Sequence, residues 1–313
     1  MTVTSAFGAD LAETLRRRPR QIPSKYLYDE LGSALFEAIC RLPWYRITRA
    51  ETAMLVRHAQ DILRPLRRPI ALAELGCGSG EKIALLVGAA GERFPLIQLI
   101  DISEAALDMA RYRLQAIGMR DVATYHCAYE QGLTRAVEER PPGAALVVLF
   151  LGSNIGNFAP AAAREFLGRI RQSLRSGDAL LLGTDLVKPE PELLLAYNDP
   201  LNVTAAFNRN LLRRINDELG GNFDLAAFTH RASWNASARR LEAYLVSARP
   251  QRVAIPGADL AFELQAGEEI WTESSHKYEA DQVMGEGLAA GFSGGEQWID
   301  QGAKFALTRF NVG

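Results

Sequence analysis

From residue 69 to residue 186 the chain alternates short apolar runs with segments of helical period, and this rhythm restricts the fold more than any other feature. The runs at 69–75, 96–101, 122–127, 145–151 and 179–186 have the length and composition of strands, and 104–116 and 161–174 read as helices between them. Strands alternating with helices of this length predict a parallel, doubly wound sheet. Near the C-terminus the segments QWI and KFALTRF flank Asp300-Gln301-Gly302, which predicts an antiparallel hairpin closed by a short turn. Between about 188 and 276 the rhythm stops. Pro189 and Pro191 break the chain after the fifth run. A helix is predicted from about Thr204, with Phe207, Leu211, Ile215 and Leu219 on one face, ending at Gly220-Gly221. Strand-like segments follow around 239–247 and 260–264. This block reads as an insertion that builds a second domain with residues 1–49.

A length of 313 residues suits one large domain or two modest ones, and 48% hydrophobic residues supply ample core. A net charge of -2 argues against nucleic acid or an anionic membrane as the partner, since both need a concentrated positive field. The longest apolar stretch, from Gly143 to Gly152, falls far short of the roughly twenty residues of a membrane helix. No apolar stretch follows a basic start, so no secretory signal is read and a cytoplasmic protein is expected. Cys40, Cys77 and Cys127 are too few for a disulfide framework and lack metal-ligand spacing, so no metal is expected. Arg16, Arg17, Arg18 and Arg20 read as a solvated helix end rather than an anion or lipid contact.

The sharpest chemical signal is Glu74-Leu75-Gly76-Cys77-Gly78-Ser79-Gly80-Glu81-Lys82, which leaves the first strand and opens a helix. Glycines there permit a tight turn and close backbone approach to a ligand. Asp101, at the end of the second strand, stands where an acid accepts hydrogen bonds from ribose hydroxyls. The third glycine comes too early for a dinucleotide fingerprint, which disfavours a nicotinamide enzyme. Cys77 sits at a helix N-terminus, yet no histidine is near it in sequence, so it reads as a small filler rather than a nucleophile.

An acidic residue followed by G-x-G-x-G resembles motif I of S-adenosylmethionine methyltransferases, and the terminal hairpin fits their seven-stranded sheet. Four further segments are more specific: LPWYRITRAE (42–51), LFLGSNIGNF (149–158), the long run from Ala196 to Asn235, and IWTESSHKY (270–278). With the glycine motif these resemble the histidine-specific Nα-methyltransferases of ergothioneine biosynthesis, collinearly from about Pro23 to the C-terminus. The resemblance implies an α/β protein with a Rossmann-like class I methyltransferase sheet and a second, smaller α+β substrate domain. The S-adenosylmethionine-binding domain would comprise 50–187 plus 277–313, and the substrate domain 1–49 plus 188–276. It also implies a monomer that takes S-adenosyl-L-methionine as methyl donor and carries L-histidine, through its mono- and dimethylated forms, to hercynine.

Residue by residue, the resemblance assigns Gly76, Gly78, Lys82 and Asp101 to the cofactor. Tyr45 matches a tyrosine near the substrate amine, and Asn157 an asparagine that holds the α-amino and carboxylate groups. Tyr197 matches a carboxylate-binding tyrosine. Glu273 and Ser275 match the pair that reads the imidazole, and Tyr28 the remaining tyrosine of that pocket. These residue types suit an imidazole, since a carboxylate accepts from one N–H while a hydroxyl engages the other nitrogen. Two departures stand out. An Asp-Phe pair that holds the adenine in the family corresponds here to Ala128-Tyr129, so the adenine amine loses a carboxylate partner unless Glu130 or a backbone carbonyl replaces it. A pocket methionine corresponds to Ala243, which implies a roomier wall. The rival within the family is therefore methylation of another amine, such as a tryptophan derivative. The rival of another class is a non-catalytic protein that holds histidine or adenosylmethionine.

Overall fold

The computed structural model describes residues 5–313, so the first four residues of the expected substrate domain lie outside the described residues. The chain divides into two compact units. One takes in the described residues up to Tyr45 together with Pro189–Ser275, the other Arg46–Lys188 and His276–Gly313.

The larger unit is built on seven strands: β1 (Ile70–Leu75), β2 (Ile97–Asp101), β3 (Val122–His126), β4 (Ala145–Phe150), β5 (Ala179–Asp185), β6 (Gly294–Asp300) and β7 (Phe305–Asn311). Their order across the sheet is β6-β7-β5-β4-β1-β2-β3. β1 to β5 run parallel, while β7 lies antiparallel to both β5 and β6. Every residue of β1, β2, β4 and β5 is buried, which is why these strands read as unbroken apolar runs rather than alternating ones. Phe150, Leu146, Val148, Leu180, Phe166, Ile170 and Phe310 belong to one core cluster. The chain leaves β1 towards β2 and β3, then returns to β1's other edge as β4. Ligands of open α/β sheets bind at such a reversal, outside the carboxyl ends of the strands, and the glycine loop follows β1 there.

The smaller unit contains a four-stranded sheet in the order Arg20–Gln21, Glu269–His276, Arg240–Ser247, Phe228–Asn235, and a separate hairpin of Gln251–Ile255 and Leu260–Leu264. The helix Val203–Leu219 buries Phe207, Leu211, Leu212, Ile215 and Leu219, and it stops at Gly220 in the left-handed conformation. Asp29 caps the helix Glu30–Arg41 by accepting from the Gly32 N–H at 2.7 Å. It also accepts from Asn210 at 2.6 Å and pairs with Arg213, so one carboxylate ties the two helices. Among the described residues no helix is long and apolar enough to cross a membrane.

After the fifth strand, the helix Glu190–Tyr197 begins between Pro189 and Pro191, since a proline in the first turn gives up no intrahelical hydrogen bond. One expectation needs correction. Arg20 is not a solvated helix end like Arg16–Arg18. It is buried, bonds Glu268 at 2.9 Å and lies over the Phe262 ring at 4.0 Å.

Candidate functional site

In the larger unit, Gly76, Gly78 and Gly80 all have positive φ, the turn that lets β1 hand over to the helix Glu81–Ala90. A Cβ at Gly76 would come within 2.9 Å of Asn154 Nδ2 and 3.0 Å of the Tyr129 hydroxyl, so no larger residue fits. Asp101 faces this loop. Its Oδ2 accepts from the Gly78 N–H and its Oδ1 from the Ser103 N–H, both at 2.9 Å. Burial pushes its carboxyl up, against the pull of those backbone N–H groups. Glu74, at the end of β1, is 1% exposed, and burial raises its carboxyl to about 8, with Glu51 and Asp101 adding and Lys82 opposing. Its Oε2 has no hydrogen-bond partner among the described residues.

Lys82 stands in the first turn of the following helix, with its Nζ 2.7 Å from the fully buried Glu51. Tyr129 packs edge-on against Phe150 at 5.2 Å and beside Phe166 and Phe158, and burial holds its hydroxyl far above the ordinary phenol range. Ala128, exposed, is the N-cap of the helix Tyr129–Glu138 and supplies no side-chain cap, and Glu130 beside it is exposed as well. Burial also pushes the Cys77 thiol well up, as a filler side chain requires. Asn157 ends the short 3-10 helix Asn154–Asn157. That turn is braced by His276, whose Nδ1 bonds the Gly156 carbonyl at 2.9 Å, and by the Tyr278 hydroxyl, which donates to the Ile155 carbonyl at 3.3 Å.

The smaller unit brings Tyr28, Tyr45, Tyr197, Glu273 and Ser275 together. Tyr45 packs edge-on against Tyr197 at 6.1 Å and Phe36 at 6.3 Å, and Tyr28 packs against Phe36 and Phe207. The Tyr197 hydroxyl donates to Ser275 Oγ at 2.9 Å, and both residues are buried. Burial raises the Tyr45 hydroxyl well above 10, and the negative charge that Tyr197, Cys40, Tyr28 and Glu273 can carry raises it further. The Tyr197 carbonyl accepts from His230 Nε2 at 2.8 Å, and His230 Nδ1 meets Asn208 Nδ2 at 2.8 Å. Burial depresses the His230 pKa, so a neutral ring fits both bonds. Ala243 is 2% exposed, in the strand Arg240–Ser247. Asn157, alone of the six expected amino-acid contacts, belongs to the larger unit.

Comparison with known proteins decides the family. The model of the S-adenosylmethionine-dependent, histidine-specific methyltransferases matches residues 7–312. The chain belongs to this family. Histidine N-alpha-methyltransferase of Mycobacterium tuberculosis is 38% identical, over 97% of this chain and 94% of that protein. The protein of the same name from Mycolicibacterium smegmatis is 37% identical, over 98% and 95%. L-tryptophan methyltransferase of Psilocybe serbica is 27% identical, over 97% and 92%.

The residues present in this methyltransferase fit S-adenosylmethionine. The unpartnered Glu74 oxygen is matched to an ammonium, the Lys82 cation to a carboxylate, and the Asp101 carboxylate to a diol. Glu51, Asn154 and His230 carry no role that the sequence announces. Glu51 closes the LPWYRITRAE segment and Asn154 lies within LFLGSNIGNF, but neither spacing reveals that they pack against glycines far along the chain.

Proposed function

We propose that this enzyme transfers methyl groups from S-adenosyl-L-methionine to the α-amine of L-histidine, in three rounds to hercynine, as a step of ergothioneine biosynthesis. The observation that carries the substrate reading is the grouping of a carboxylate, a serine and three tyrosines in the smaller unit, with Tyr197 bonded to Ser275 and Tyr45 held protonated by burial. In this reading the larger unit binds the cofactor and the smaller unit the amino acid, and the enzyme works as a cytoplasmic monomer on small molecules.

When bound, the cofactor supplies a methyl group on a sulfonium centre electrophilic enough that the protein need mainly orient the amine and keep water away. Glu74 and Lys82 hold the two charged ends of the methionine portion, and Asp101 holds the ribose hydroxyls. Gly76 and Gly78 let the backbone approach, and Tyr129 closes the adenine side, where the Ala128 side chain offers no acceptor. Glu273 accepts from one imidazole N–H, and Ser275 or Tyr28 engages the other nitrogen. Tyr197 holds the carboxylate. Tyr45 orients the amine. A phenol whose pKa is raised by burial is a poor base, and an α-amine titrating near pH 8 needs little help in losing its proton. The ring faces around it tolerate the cationic charge that grows on the methylated nitrogen.

Ala243 favours a second reading. A short buried side chain on this strand leaves more room than a methionine would, which suits a bulkier amine such as a tryptophan derivative. Incubating the chain with S-adenosylmethionine and each of the twenty amino acids, with products read by mass spectrometry, separates the two. Methylated histidine as the main product supports the first reading. Methylated tryptophan with untouched histidine replaces it.

A further inference from the structure

Glu51 lies outside the set of residues assigned to either substrate. Its side chain is fully buried, and both carboxylate oxygens stand 2.9 Å from the Gly152 N–H, with Lys82 Nζ at 2.7 Å. Two glycines are shaped around this group. A Cβ at Gly183 on β5 would fall 1.9 Å from Glu51 Oε1, and a Cβ at Gly152, where φ is +76°, would fall 2.8 Å from Lys82 Nζ. Directly after Gly152, Ser153 Oγ accepts from the Asp185 N–H at 2.9 Å, and the turn runs on to Asn157. One carboxylate thus grips the lysine of the glycine-loop helix and the first N–H of the loop that ends in Asn157.

We infer that Glu51 is a positioning residue for cofactor binding: it fixes the Lys82 ammonium in place while anchoring the 152–157 loop. The assignment rests on the functional reading above. A long lysine side chain that is only 22% exposed and paired at 2.7 Å is held in one geometry, ready to meet a second carboxylate. The carboxylate in contact with the Lys82 ammonium is that of Glu51, at 2.7 Å.

The test is calorimetric binding of S-adenosylhomocysteine to the ligand-free full chain, alongside steady-state kinetics. Glu51→Gln keeps an acceptor for the Gly152 N–H but removes the charge. It should weaken binding about ten-fold or more, as loss of a charged hydrogen bond does, and move the KM for S-adenosylmethionine more than that for histidine. Lys82→Met should weaken it similarly, and the double variant should bind no worse than Lys82→Met, because the two residues act as one unit. Glu51→Asp, charged but a methylene short, should fall between the parent and Lys82→Met, and it carries the test if Glu51→Gln does not fold. Parent-like affinity in Glu51→Gln or Glu51→Asp overturns the assignment. So does a double variant weakened by the product of the single effects, or a Glu51→Asp weaker than Lys82→Met. A parent chain that fails to bind S-adenosylhomocysteine overturns the functional reading along with it.

Discussion

Burial fixes the proton state of two residues of the proposed sites. Tyr45 is held in its phenol form, so Tyr45→Phe should slow the reaction by a modest factor, well short of the roughly hundred-fold or more of general-base removal. The loss should be larger for histidine than for its dimethylated form, which offers fewer amine hydrogen bonds, and pH–rate profiles on both substrates measure it. Equal losses at every step would contradict an orienting role. Glu273→Ala should weaken histidine binding by about ten- to a hundred-fold, the worth of a charged hydrogen bond, and leave S-adenosylhomocysteine binding unchanged. Glu74, raised from 4.5 to about 8, is protonated in the ligand-free fold at neutral pH. Its raised pKa favours the folded state fully below pH 4.5, and that contribution is lost as pH climbs through 8. Glu74→Gln should therefore flatten the fall of the thermal midpoint across that window. A cationic amine placed beside Glu74 should draw its proton off, so cofactor binding at pH 7 should release protons in the parent and fewer in Glu74→Gln, read by calorimetry in buffers of different ionisation heat. Unaltered release would contradict the assignment.

Among the elements, Asp29 is the joint of the smaller unit. Asp29→Ala removes a helix cap and leaves Asn210 and Arg213 without their partner, so it should cost about 2 kcal/mol, the upper end for a cap alone. The urea midpoint measures this, and Asp29→Asn, which keeps the capping oxygen, should recover part of it. Four of the five parallel strands, β1, β2, β4 and β5, were legible because full burial makes each a short apolar run bounded by turn residues, and the helix Val203–Leu219 because its apolar residues recur at helical spacing. The strands Phe228–Asn235, Gln251–Ile255 and Glu269–His276 were harder to read. The first is partly exposed along seven of its eight residues, and Glu269–His276 carries Glu, Thr, Ser and His in place of an apolar run. The glycine loop and Asp101 were readable from spacing alone. Glu273 and Ser275 drew attention only through the family resemblance, since TESS taken by itself is an ordinary polar strand. Glu51 escaped because a buried carboxylate is recognised by the glycines that make room for it, and these lie 101 and 132 residues further along the chain.

For the whole molecule, the proposed function puts the cofactor contacts in the larger unit and the imidazole contacts in the smaller. Asp101→Ala, in the larger unit, should raise the requirement for S-adenosylmethionine while leaving histidine binding largely intact, the reverse of Glu273→Ala in the smaller. Everything proposed for the smaller unit depends on this family member methylating the α-amine of histidine. Mass spectrometry of one reaction decides that, containing the purified chain, methyl-labelled S-adenosylmethionine, and histidine and tryptophan in equal amounts. Label should accumulate in mono-, di- and finally trimethylated histidine, with tryptophan left almost untouched. Label in methylated tryptophan with none in histidine, or no label transferred to either, would contradict it.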